Sequence, residues 1–147
     1  MGRIYYAELK AVSVTGVTAQ DVWSVTAAAG EKVRLYGWHL TSNATAAAII
    51  DCNLHKITAT GSGGGTYTAE QVDEIDAAST AVIGKLDTTA GADGGGGEGY
   101  QWEQLGPLQH IYIPEMRWVS NTAQGFAFTW NTATAATVSG WFCWEEL

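Results

Sequence analysis

The segment TVSGWFCWEEL, residues 137–147, decides how the rest of the chain is read. In an extended strand successive side chains alternate between faces, so Trp141 and Trp144 point to opposite sides while Phe142 shares a side with Trp144. A strand that is apolar on both faces is covered on both, and one cover is the core of its own domain. This reading places the segment in the middle of a sheet, paired along both edges. Glu145, Glu146 and Leu147 are then expected at the end of the layer, where charge reaches water.

Upstream, the same period of two recurs. AIIDCNLHKITA (48–59) sets Ile50, Cys52 and Leu54 on one face and Asp51, Asn53 and His55 on the other, the signature of a half-buried strand. KVRLYGWHLTS (32–42) reads as Val33, Leu35 and Gly37 against Arg34, Tyr36 and Trp38. Further runs rich in Val, Thr, Ala and aromatics are IYYAELKAVSV (4–14), VWSVTAA (22–28), TAVIGKLDTT (80–89), YQWEQLGPLQHIYIP (100–114) and GFAFTWN (125–131). The run 100–114 is interrupted at Gly106-Pro107, since proline gives no ladder hydrogen bond. About eight short strands without long helices between them predict an all-β, antiparallel β-sandwich of jelly-roll type in a single domain, 1–147.

Two glycine-rich stretches, GSGGG (61–65) and AGADGGGGEG (90–99), read as linkers bounding a loop-rich excursion over residues 61–99. Inside it, TAEQVDEIDAAST (68–80) has the weak i, i+3 pattern of Val72 and Ile75, enough for a short helix or one turn in a loop.

Charge narrows the function. Seven basic against fifteen acidic residues give a formal net charge of −8. Nucleic-acid binding relies on Lys and Arg at phosphates, so it is disfavoured, and an anionic membrane surface is disfavoured for the same reason. No apolar run approaches the roughly 18–20 residues of a membrane span, and MGRIYYAELK lacks the pattern of a secretion signal. Cys52 and Cys143 sit in apolar surroundings and read as buried free thiols, with a disulfide as the alternative.

Chemistry-bearing patterns are sparse. GSGGG is without the Lys-Ser/Thr of a phosphate loop, and the acids of GADGGGGEG would repel an anion. His39, His55 and His110 each stand alone in a separate strand, with no close His pair or Cys-x-x-Cys beside them. Ser139-Gly140 is outside any nucleophile elbow, and Cys143 between aromatics makes a poor thiolate. Glu145 and Glu146 face opposite sides and cannot act as a glycosidase pair. Asp73, Glu74 and Asp76 miss the spacing of a calcium loop. The sequence offers no catalytic, cofactor-binding or metal-binding residue, and the chain is expected not to be an enzyme.

Its unusual feature is seven tryptophans. If the last strand is covered on both faces, a partner subunit is the simplest second cover, because Trp and Tyr concentrate in interface centres. The candidates for a subunit interface are Tyr5, Tyr6, Trp130, Trp141 and Trp144. Arg3, Tyr5 and Tyr6 belong either to an exposed arm or to the first strand.

The stretch IPEMRWVSNTAQGFAFTWNTATAATVSGWFCWEEL (113–147) resembles the carboxy-terminal part of small virion proteins of tailed bacteriophages, on Pro114-Glu115, Arg117, Phe126, Phe128, Ser139-Gly140 and Glu145-Glu146. VTAQDVWSVTAAAGEKVRLYGWHL (17–40) and the Gly-rich stretch after CNLHKITATGSGGG (52–65) follow a similar layout. The chain departs from that pattern in having tryptophan at Trp130 and Trp141 and a Thr/Ala turn at 131–136. The resemblance implies a jelly-roll subunit that assembles as a homotrimer, binds the major capsid protein as a decoration (cement) protein on the capsid surface of the virion, and is made in the host cytoplasm. The competing expectations are a tail-associated protein, or a carbohydrate- or receptor-binding module that uses exposed tryptophans.

Overall fold

A computed structural model describes residues 2–15 and 19–147. Eleven strands follow in order: β1 (Arg3–Val14), β2 (Gln20–Thr26), β3 (Val33–Ser42), β4 (Ile49–Ala59), β5 (Gly65–Thr66), β6 (Ala69–Gln71), β7 (Val82–Asp87), β8 (Ala92–Glu103), β9 (Leu108–Ile111), β10 (Gly125–Trp130) and β11 (Ala136–Glu146). One short 3₁₀ turn, Pro114–Met116, follows β9. Two antiparallel sheets face each other, with orders β6-β1-β11-β3-β9 and β5-β7-β2-β10-β4-β8.

With the short β5, β6 and β7 set aside, the order β1-β11-β3-β9 opposite β2-β10-β4-β8 is that of an eight-stranded jelly roll. Every connection crosses between the sheets except β4 to β8, which are hydrogen-bonded neighbours. The excursion between them returns β6 to the edge of one sheet and β5 and β7 to the edge of the other. Residues 68–80 hold β6 and a series of bends instead of a helix.

The carboxy-terminal strand is central: β11 pairs with β1 on one side and β3 on the other. Its inner face carries Val138, Phe142 and Trp144, all fully buried. Around them runs an aromatic spine that joins the two sheets. Tyr5 stacks on Trp144 at 5.9 Å, Trp144 on Phe142 at 5.4 Å, and Phe142 on Trp23 at 4.5 Å. Beyond these, Trp23 meets Phe128 at 6.0 Å and Phe128 meets Trp38 at 4.8 Å. Each offset aromatic pair adds about 0.5–1.5 kcal/mol beyond the area it buries.

A bulge shifts the period of two in each of β1, β2 and β3. In β1, Leu9 pairs with Gly140 and Val12 with Val138, so one extra residue lies between them, and Ala11 takes φ +48°. Tyr5, Ala7 and Leu9 point inward before the bulge, and Val12 and Val14 after it. In β3, Leu35 and Gly37 pair with Trp144 and Cys143, which turns Trp38 inward with Leu40. This corrects the expectation that Trp38 shares a face with Arg34. Asp21 and Trp23 similarly bracket an extra Val22 opposite Thr129 and Phe128.

The glycine-rich residues 92–99, expected as linker, are the first part of β8 and pair with β4. Asp93 lies opposite Ile57 and Gly97 opposite His55, so Gly94, Gly95 and Gly96 form a bulge. Gly95 and Gly96 adopt φ +76° and +77°, which glycine reaches without steric cost.

The acidic end also differs from expectation. Glu145 and Glu146 are 4% and 3% exposed. Glu145 accepts from Arg34 at 2.8 Å, from Tyr36 at 3.2 Å and from the Gly2 amide at 3.1 Å. Glu146 is enclosed by the segment 79–81. A carboxylate withdrawn from water must collect donors to persist, and the two side chains, on opposite faces, collect separate sets.

Candidate functional site

The outward faces of the two sheets differ. On the five-stranded sheet the alternation of β1, β11, β3 and β9 places Tyr6, Cys143, Gly37 and Ile111 in one cross-strand row and Glu8, Trp141, His39 and Gln109 in the next. Tyr6 and Ile111 are 39% and 67% exposed. Trp141 is half-buried, with His39 stacked beside it at 6.3 Å. The Arg117 guanidinium lies 3.7 Å over the Tyr36 ring next to this face.

The five interface candidates divide accordingly. Tyr6 and Trp141 sit on this open face. Tyr5, Trp130 and Trp144 are fully buried inside the chain's own core, so a neighbouring subunit finds no surface there. Tyr5 donates through its hydroxyl to the Ala77 carbonyl at 2.6 Å, and Trp130 through its indole to the Thr134 carbonyl at 3.1 Å. Arg3, Tyr5 and Tyr6 begin β1 and form no separate arm. Cys52 is buried and Cys143 half-buried on the outward face, and both are free. Burial pushes the Cys143 thiol up to about 11 and that of Cys52 up to about 12, so neither is a ready nucleophile.

On the six-stranded sheet the outward face carries a polar chain that crosses four strands. Asp21 on β2 is fully buried. Its carboxylate accepts from the Thr129 hydroxyl at 2.6 Å and from the Gly91 amide at 2.7 Å. Thr129 has one hydroxyl proton, which goes to Asp21, so its oxygen accepts from His55 Nε2 at 2.9 Å. The hydrogen of neutral His55 is therefore fixed on Nε2. His55 Nδ1 faces Asp93 Oδ1 at 3.7 Å. Asn131 donates to Asn53 at 2.6 Å alongside. His55, Thr129, Asp93, Asn53 and Asn131 line an open cleft of about 470 Å³ together with Ala19, Ala90, Gly91 and Gly96, and Asp21 lies buried beneath it.

The arrangement superficially suggests a Thr-His-Asp triad, but the hydrogen-bond direction opposes it. A nucleophilic hydroxyl gives its proton to the imidazole, whereas Thr129 gives its proton to Asp21. Each polar group in the chain serves its neighbour. Among the described residues no cluster of three or more His, Cys, Asp or Glu is placed to hold a metal ion.

Asp87 lies across from Asp21 in the β2–β7 ladder. Burial pushes the carboxyls of both up, and the Asp21 charge pushes Asp87 further. Among the described residues Asp87 Oδ2 and Ser24 Oγ find no hydrogen-bond partner, and both lie close over Gly84, within 2.5 and 2.3 Å of where its side chain would begin. A carboxyl raised on folding contributes fully below its unfolded pKa and loses that contribution as pH rises through the folded value. Asp87→Asn is thus expected to stabilise the fold by roughly 1 kcal/mol at pH 7 by removing a buried like-charge neighbour. In urea denaturation the gain should shrink towards pH 3, where wild-type Asp87 is itself neutral.

Comparison with protein families, with curated proteins and with solved structures finds no match to this chain.

Proposed function

We propose that the chain is a non-catalytic structural protein that works by self-assembly, and that its specific role is a bacteriophage capsid decoration (cement) protein, trimeric on the virion surface. The observation that carries the reading is the outward face of the five-stranded sheet, where exposed Tyr6 and Ile111 and half-buried Trp141 stand on hydrogen-bonded strands. Aromatic side chains fixed by their backbone lose little entropy on contact, which suits an interface. The jelly-roll order and the resemblance of residues 113–147 to small virion proteins support the capsid version. A decoration protein that binds only the assembled shell stabilises it by mass action.

The test is the solution mass by light scattering. A particle near three times 15.6 kDa is the expected result. Trp141→Ser should shift the mass towards 15.6 kDa while the far-ultraviolet circular dichroism stays that of the wild type, since Trp141 lies outside the core. A wild-type monomer at all concentrations would remove the proposal. Tryptophan emission cannot replace this measurement, because five of the seven tryptophans, Trp23, Trp38, Trp102, Trp130 and Trp144, are buried within one chain and emit in the blue regardless of assembly.

One observation favours a second reading. The His39–Trp141 stack, flanked by Glu8 and Gln109, is a flat aromatic platform with hydrogen-bonding neighbours, which fits a saccharide ring. Titration with a glycan panel separates this carbohydrate- or receptor-binding function from assembly.

A further inference from the structure

The polar chain on the six-stranded sheet has a defined direction, and that direction leaves one atom to titrate. His55 Nε2 holds its hydrogen towards Thr129 in both charge states, because Thr129 has already given its own proton to Asp21. Neutral His55 therefore presents the bare lone pair of Nδ1 to the Asp93 carboxylate, 3.7 Å away, and the two repel. Protonated His55 presents an N–H to the same carboxylate, and the two attract. Its ring is mostly covered, with the side chain 13% exposed, whereas Asp93 is 75% exposed and its Oδ1 also accepts from the Gly95 amide at 2.9 Å.

Asp93 stands at the base of the glycine bulge. Between its pairing with Ile57 and that of Gly97 with His55 the backbone of β8 leaves the ladder. Gly94, Gly95 and Gly96 have no side chains of their own, the second and third are at positive φ, and the Gly95 amide donates to Asp93 Oδ1. Gly96 and Gly97 form one wall of the cleft whose floor is His55 and Thr129. The Asp93–His55 contact is thus a side-chain tie across the mouth of the cleft.

We propose that His55 is a proton-operated latch: uptake of a proton on Nδ1 draws Asp93 onto β4 and closes the glycine bulge over the cleft, and its loss releases the bulge. The charged groups that bear on the ring are Asp93 from β8, Asp21 acting through Thr129 from β2 and β10, and Asp87 behind Asp21. All three are acids. Asn53 and Asn131 are neutral, and Lys56 lies on the opposite side of β4 by alternation. Stability of the closed form is full where His55 is protonated and falls as pH rises. The latch acts within one chain and does not depend on the assembly role.

Amide hydrogen exchange of a peptide spanning Asp93–Gly97, at about pH 5.5 and pH 8 and corrected for intrinsic rates, tests the latch. An attraction between partly exposed groups corresponds to about two- to fivefold in the opening equilibrium, so protection should be greater by that factor at the lower pH. His55→Gln keeps a donor towards Thr129 and should make protection independent of pH. Asp93→Asn, a surface change that leaves the Asp21 chain intact, should do the same. Equal wild-type protection at the two pH values overturns the latch, as does greater protection at the higher one or full pH dependence in the Asp93→Asn variant.

Discussion

Gly125→Ala is expected to prevent folding. Gly125 begins β10 with Thr26 on one side and Ile57 on the other, in the interior of the six-stranded sheet. A Cβ there would stand 1.8 Å from the Val25 carbonyl oxygen and 2.7 Å from the Thr26 Cα. Both are backbone atoms of β2, so no side-chain rotation relieves the clash. The ladder has to part by more than an ångström, and close-packed interiors do not absorb that. The loss should exceed about 4 kcal/mol, a large share of the 5–15 kcal/mol that holds a domain of this size. Soluble yield and far-ultraviolet circular dichroism read the result. Gly95→Ala is the control: its Cβ meets nothing within 4 Å, and only the φ of +76° is strained. That variant should fold with a loss of about 1 kcal/mol. Comparable behaviour of the two variants would refute the steric account.

Glu146→Ala should produce the second large loss. The Glu146 carboxylate accepts from the Ser79 hydroxyl at 2.5 Å, the Thr80 amide and hydroxyl at 3.2 and 3.0 Å, and the Ala81 amide at 3.2 Å, and Arg3 lies 3.5 Å away. Truncation leaves the Ser79 hydroxyl and the Thr80 amide without their acceptor, keeps only Glu31 for the Thr80 hydroxyl and Arg3, and unties the segment 79–81 from β11. The expected cost is about 3 kcal/mol, within the range for breaking a buried charged network. Burial alone pushes this carboxyl up, but the donors of Ser79, Thr80 and Ala81 together hold it below its ordinary value. A depressed carboxyl contributes stability above its unfolded pKa and loses it as pH falls through the folded value. Wild-type stability should therefore decline between about pH 5 and pH 3 by more than that of Glu146→Ala. Urea midpoints across that range check the sign, and parallel curves would show that Glu146 is not the group responsible.

The fold was readable where the period of two ran unbroken. Ile50, Cys52 and Leu54 point inward as their spacing implies, and Phe142 and Trp144 fix β11 as a strand with two different faces. Reading failed where the backbone changed phase. Nothing in RLYGW announces that Tyr36 and Gly37 share one opposing residue, so simple alternation puts Trp38 on the wrong face. Glycines carry no side-chain pattern, which made the first part of β8 look like linker. Its pairing is set from outside, by Trp102 opposite Ile50 and Tyr100 opposite Cys52. The cleft was hidden for a different reason. Asp21, His55, Asp93 and Thr129 come from four strands, and only the order β2-β10-β4-β8 makes them neighbours. The burial of Glu145 and Glu146 likewise depends on Arg34 and on residues 79–81, distant in sequence.

The central position of β11 has a consequence for biosynthesis. The spine contacts Trp23–Phe142 and Tyr5–Trp144 join residues from opposite ends of the sequence. Topologies dominated by such distant pairings fold slowly, in about milliseconds to seconds. During translation β1 and β3 emerge early, but the strand that must lie between them is the last to be made. Until then Tyr5, Leu35 and Trp38 have no β11 to cover them, and a chain in that state exposes the apolar surface on which aggregation starts.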